Sequence, residues 1–172
     1  MKRFLLLFLA AASLVIVSCS KDEGLADKPS TTTLAKEWFV KVQGPTGTSN
    51  YSLFSTRALT LVSVIDTFGN QQGRLLADTI TLDDHNQFSP TLRAHVRIDV
   101  ANRTFGAGQY KNWNNPADSV ILKEGKILKD AGRSKSGAVV DSIYIKYAFK
   151  SDPSIDYLMK GHARTGLVAD EY

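Results

Sequence analysis

Apolar and polar residues alternate without a break from Thr91 to Val100. Leu92, Ala94, Val96, Ile98 and Val100 share one side, and Thr91, Arg93, His95, Arg97 and Asp99 share the other. A period of two puts every second side chain on one face of an extended strand, so this segment must lie half buried in an antiparallel sheet. The period returns in Val139–Phe149, where Val139, Asp141, Ile143, Ile145, Tyr147 and Phe149 oppose Val140, Ser142, Tyr144, Lys146 and Ala148. Trp38, Val40 and Val42 repeat it around Phe39 and Lys41, and a mostly apolar strand from Leu59 to Ile65 ends at a turn over Asp66–Gly69. Leu76, Ile80 and Leu82 lead into a polar turn at Asp83-Asp84-His85-Asn86, and Thr104 to Ala107 begins a further strand. Val120–Leu122 and Lys126–Leu128 flank a turn expected at Glu124-Gly125. Asp152-Pro153-Ser154 is a turn signal before a last strand from Ile155 to about Thr165. No helical period occurs after the first 18 residues. About eight or nine short strands joined by polar turns predict an antiparallel barrel or sandwich.

The N-terminus carries a different signal. Lys2 and Arg3 precede an apolar run from Phe4 to Val17, then Ser18 and Cys19, the chain's only cysteine. Charged, apolar and small residues in that order make a secretory signal. Its ending, Ile16-Val17-Ser18-Cys19, resembles a bacterial lipobox, which implies cleavage after residue 18 and acylation of Cys19. The run is shorter than the ~20 residues that span a bilayer. Two acyl chains, at ~0.8 kcal/mol per buried methylene, hold a protein on a membrane stably. Ser20-Lys21-Asp22-Glu23 resembles the acidic export signal of Bacteroidetes lipoproteins, so display on the outer face of the outer membrane is the expectation. Residues 19–33, with Gly24, Pro29 and three threonines in a row, read as a flexible tether. Residues 34–172 then form one β domain.

Loss of residues 1–18 takes Lys2 and Arg3 from the 21 basic residues and none of the 17 acidic ones, so the net charge falls from +4 to +2. Nucleic acid would require a clustered basic stripe, and none is evident. Without Cys19 there is no disulfide and no thiol chemistry. His85, His95 and His162 are scattered, with no His-Glu-x-x-His spacing, so neither a metal nor another cofactor is expected. No Gly-x-Ser-x-Gly elbow occurs, and Asp141 has no second carboxylate assigned to it, so no catalytic residue is named.

Aromatic residues offer the other route to function. Tyr110, Tyr144, Tyr147 and Tyr157 are candidates for the wall of a small-ligand pocket, which combines apolar surface with a few polar tips. Trp113 stands in an Asn-rich loop from Lys111 to Asp118, where an exposed ring suits stacking on a sugar or contact with a partner.

Val139-Val140-Asp141-Ser142-Ile143-Tyr144-Ile145, then Gly161-His162-Ala163-Arg164-Thr165-Gly166 and Asp170-Glu171-Tyr172, resemble the small Bacteroidetes lipoproteins called lipid-binding putative hydrolases. Glu37-Trp38, Asp83-Asp84 before Phe88, and Thr104-Phe105 fit the same pattern, with departures at Lys36, Ala163 and Leu167. The resemblance implies an all-β, lipocalin-like up-and-down barrel of about eight strands, whose interior holds side chains or one small ligand. It implies a lipid-like ligand in that interior, with Trp38, Tyr144, Tyr147, Tyr157, His162 and Arg164 as candidate contacts. It further implies that Arg164 packs on Trp38 where the first and last strands meet. The expected partners are the membrane, through the lipid anchor, and a small apolar or amphipathic ligand. The alternatives are a glycan or envelope protein bound through the loops, and a hydrolase.

Overall fold

In the computed structural model the described residues are 30–65 and 71–172. The signal segment, Cys19, the tether as far as residue 29 and the Asp66–Gly69 turn lie outside them. Ten strands follow a short 3-10 helix at Ser30–Leu34. They are β1 (Lys36–Gly44), β2 (Gly47–Thr48), β3 (Ser52–Ile65), β4 (Gln71–Asp83), β5 (Arg93–Asp99), β6 (Thr104–Phe105), β7 (Gly108–Lys111), β8 (Ser119–Arg133), β9 (Val139–Phe149) and β10 (Asp152–Ala163). Each ring strand is antiparallel to its neighbours in the order β1-β3-β4-β5-β6-β8-β9-β10, and β10 pairs back onto β1. The result is a closed eight-stranded barrel. Pairing of β10 with β1 removes the two edges an open sheet would expose, and the ring is thinnest at β6, which has two register pairs with β5 and one with β8.

Alternation decides the two faces. Val40, Val42, Phe54, Ile80, Leu82, Val96, Ile98, Leu122, Ile143, Ile145, Tyr147 and Met159 all point inward and form one buried cluster. Leu92, Ala94, Val96 and Ile98 from one alternating segment and Ile143, Ile145, Tyr147 and Phe149 from the other belong to that cluster.

Three local expectations are corrected. Glu124-Gly125 is not a turn: β8 runs straight through, with a register shift between Leu122 and Glu124. Glycine is required there because a Cβ on Gly125 would come within 2.7 Å of the Phe105 ring, so it marks a close approach rather than a reversal. Asp152-Pro153-Ser154 belongs to β10, and the chain reverses at Lys150-Ser151. The tether does not extend to Thr33. Ser30–Leu34 form a helical turn against β3 and β4, and Leu34 joins the core.

The barrel closes as expected, but not through the expected contact. Trp38 pairs with Ala163 and Val40 with Gly161 in unbroken register, so Arg164 points outward. There its guanidinium binds Glu37 at 2.6 Å and Glu171 at 2.8 Å, and lies 5.9 Å from the Phe39 ring centre. Trp38 is fully buried inside and donates its indole N–H to the Thr56 hydroxyl at 2.9 Å. Thr56 donates in turn to the Leu34 carbonyl at 2.6 Å. Tryptophan therefore ties the N-terminal turn to the base of the barrel.

Candidate ligand-binding site at the barrel mouth

The 3-10 turn and Trp38 close the end of the barrel where the chain enters. β1 runs from there for nine residues, about 30 Å at ~3.3 Å per residue, to the opposite end. Two loops frame that end. In the first, between β1 and β3, the Val42 N–H bonds the Ser49 hydroxyl at 2.9 Å and the Ser49 N–H returns to the Val42 carbonyl at 2.9 Å. The second connects β4 to β5 and is organised by Asp84. One carboxylate oxygen accepts the Asn86 N–H at 2.9 Å and the Thr91 hydroxyl at 2.8 Å, and the other accepts the Leu92 N–H at 2.7 Å.

The Asn-rich loop braces this arrangement from outside. The buried Asn112 amide donates to the Thr91 carbonyl at 2.8 Å and accepts the Arg93 N–H at 3.1 Å. Neither Asp84 nor Asn112 has an apolar context in the sequence, and both are completely buried by loop packing on loop. Burial raises the Asp84 carboxyl above its ordinary value, opposed by the hydrogen bonds from Leu92 and Thr91.

Between the loops lies a cleft of about 250 Å³, lined by Val42, the 46–49 turn, Gln87, Phe88, Ser89 and Tyr157. That is below the ~300–1,000 Å³ of sites for drug-sized ligands, so it suits a chain end or small head group. Tyr157 forms its inner wall. Tyr147 stacks on Tyr157 with ring centres 5.4 Å apart and 19° between planes, and Phe149 meets both rings edge-on.

The Tyr147 hydroxyl is fully buried and has no hydrogen-bond partner. Burial pushes this phenol far above its usual range, with the Asp84 carboxylate next in effect, so it remains a neutral O–H. A buried hydroxyl left unmatched costs about 1–3 kcal/mol. Tyr147 does not itself line the cleft, so a ligand's polar tip would meet this hydroxyl only if the Tyr157 ring moved aside.

The candidate residues from the sequence divide between two places. Trp38, Tyr147 and Tyr157 are on the inner face, but Trp38 is at the closed base. Tyr144, His162 and Arg164 are on the outer wall. His162 is buried there among Phe39, Tyr51 and Tyr172, and its Nε2 lies 3.1 Å from the Tyr172 hydroxyl. Tyr110 donates its hydroxyl to the Gly106 carbonyl at 2.7 Å. Asp141 is satisfied at the barrel base by Lys36 at 2.5 Å and the Asp130 N–H at 3.0 Å. Trp113 is 48% exposed, with the Lys111 ammonium 4.1 Å from its ring centre and His95 edge-on at 5.1 Å.

The fold is a small closed antiparallel β-barrel with an apolar core and aromatic rings at its mouth. The chain belongs to the lipid-binding putative hydrolase family, whose model matches residues 26–168. A comparison with curated proteins finds no match.

Proposed function

We propose that this barrel binds, without chemistry, the end of a small apolar or amphipathic molecule at its mouth. The observation that carries this is the cleft between the two mouth loops, walled by Phe88 and Tyr157. The lipid-binding half of the family's name supports the ligand class. The ligand's contact is with the rim, where Phe88 and Tyr157 supply the apolar surface. We further propose that the protein is an outer-membrane lipoprotein, held through acylated Cys19 and displayed at the cell surface. The chain enters the barrel at its closed end, so the mouth opens at the end away from the tether.

A fluorescent fatty acid titrated into the full chain tests the binding. Saturable binding displaced by oleate, and weakened about tenfold by Tyr157→Ala through lost apolar contact, is the expected result. Absence of saturable binding rejects it.

Trp113 supports a second reading, in which the loops bind a glycan or an envelope partner. A half-exposed indole backed by Lys111 and His95 is a ready stacking surface. Trp113→Ala with undisturbed fatty-acid binding but lost retention on a glycan array separates the two.

A further inference from the structure

The outer wall of the barrel carries a charge pattern that folding alone does not explain. Cross-strand partners in an antiparallel sheet project from the same face with their Cβ atoms ~4.5–5.5 Å apart. On the outside of β1, β10, β9 and β8, one such row is Lys41, Lys160, Tyr144 and Lys126. Three of its four positions are lysine. Lys41 and Lys160 stand directly opposite each other. Like charges so placed are destabilising.

Carboxylates relieve the repulsion only at the margins. Glu124 is 3.7 Å from Lys126, and Asp156 pairs with Lys146 at 2.9 Å and with Lys123. Lys36, Arg93 and Arg164 also have acidic partners. Among the described residues Lys41, Lys160 and Arg133 have no ion pair. These three line one groove of about 400 Å³, together with Tyr51, Ser142 and His162, and no carboxylate lines it. Both nitrogens of His162 are engaged, by the Ala163 carbonyl at 3.2 Å and Tyr172 at 3.1 Å, so it serves as wall. The Tyr51 ring holds the Lys41 ammonium 4.5 Å from its centre.

The groove continues into a neighbouring hollow. Gln43 and Leu158 line both it and this hollow of about 440 Å³, whose apolar side is Pro45, Tyr144 and Ile155 and whose charged side is the paired Lys146 and Asp156. We propose that the Lys41–Lys160 pair, with Arg133, holds a phosphate or carboxylate head group on this outer wall, with the ligand's apolar part lying along Leu158 toward Ile155. Ammonium and guanidinium groups make short, charge-assisted bonds to such oxyanions. The anion removes the like-charge repulsion that the empty sheet carries. This site is separate from the mouth, since its residues are on the opposite face of the same strands.

Calorimetric titration of the full chain in a neutral detergent tests it with three probes: dihexanoyl phosphatidic acid, glycerol 3-phosphate and uncharged dihexanoylglycerol. Phosphatidic acid should bind saturably, and dihexanoylglycerol should leave the groove empty. Glycerol 3-phosphate binding as tightly as phosphatidic acid identifies free phosphate as the ligand source. Much weaker binding identifies an amphiphile. Lys41→Gln with Lys160→Gln should lower phosphatidic acid affinity at least about tenfold, and raising salt to about 0.5 M should do the same to the wild type. Lys150→Gln, at an exposed position outside both sites, should leave it unchanged, and the same titrations in a Tyr157→Ala background remove any contribution from the mouth. Without ligand and at low salt, the double variant should melt at or above the wild-type temperature, since it relieves repulsion. Phosphatidic acid binding that survives the double variant, its absence in the wild type, or a lower melting temperature for the double variant overturns the proposal.

Discussion

Tyr147 and Tyr157 stack face to face across β9 and β10, their ring centres 5.4 Å apart, and only the inner ring keeps an unmatched hydroxyl. Register pairs the two residues directly, so the stack is a product of strand alignment. It makes the rim rigid and places one neutral polar atom at the bottom of an aromatic wall.

That atom predicts a trade between stability and binding. Tyr147→Phe removes a buried hydroxyl that forms no bond, so the ligand-free protein should gain up to about 1–3 kcal/mol in urea unfolding. The same change should weaken a ligand with a polar tip while sparing a pure hydrocarbon. A less stable Tyr147→Phe protein would mean that the hydroxyl is matched in solution, and the mouth would lose its polar anchor.

The seam between β1 and β10 makes a sharper demand on Gly161. A Cβ there would lie 2.1 Å from the Phe39 carbonyl oxygen and 2.6 Å from Val40 Cγ1. The first of these is backbone, which cannot turn aside. Gly161→Ala should cost at least about 1–3 kcal/mol, the range for overpacking. Gly125→Ala meets the buried Phe105 side chain, and should cost less because a side chain can rotate where a backbone carbonyl cannot. Equal losses in denaturant titrations would show that the seam opens as easily as the core repacks.

Strands with one buried face were legible in the sequence, and β9 has the bounds that alternation gives it. The first half of β3 was not. Ser55, Thr56 and Arg57 look solvated, yet Thr56 is inside, matched to the Trp38 indole. A polar residue buried for one specific partner breaks the apolar period that reveals a strand. The mouth divides in the same way. Tyr147 and Tyr157 are aromatics at alternating positions and could be picked out. Asp84 and Asn112 sit in stretches that read as exposed turns, and only packing between distant loops buries them. Arg164 was misassigned on the resemblance; alternation along Ile155, Tyr157, Met159, Gly161 and Ala163 already turns it outward, and the unbroken β1–β10 register agrees.

The proposed membrane anchor is argued from Cys19 and the apolar run before it. Cys19→Ala should abolish incorporation of radiolabelled palmitate and leave an unprocessed precursor. Acylation of that variant at the wild-type level would remove the anchor. For surface display, protease added to intact cells should digest the wild type, whereas alanines at Lys21, Asp22 and Glu23 should protect the protein. Equal digestion would reject the export signal.

Acid should loosen the C-terminal tail, and Asp170 is the reason. Its buried carboxylate accepts the Thr165 hydroxyl at 2.6 Å and the Ser136 N–H at 2.5 Å, tying the tail to the β8–β9 turn. The Thr165 bond above all, with Ser136 behind it, holds the carboxyl at about 2, against an ordinary 3.8. A carboxyl lowered in the folded state stabilises fully above its unfolded value and loses that contribution as pH falls through the folded one. The window is therefore between about pH 4 and pH 2. Asp84 works in the opposite sense: burial raises it, so the folded state takes up that proton first and gains stability as pH falls through the raised value. Asp170→Asn should reduce the fall in stability across the acid window by up to one proton's worth of slope, whereas Asp84→Asn should not reduce it. Tyr172 packs on Phe39 and Tyr51, so its release from that cluster is expected to report the event in tyrosine fluorescence. An unchanged acid slope in Asp170→Asn would mean that the tail is not held by this carboxylate.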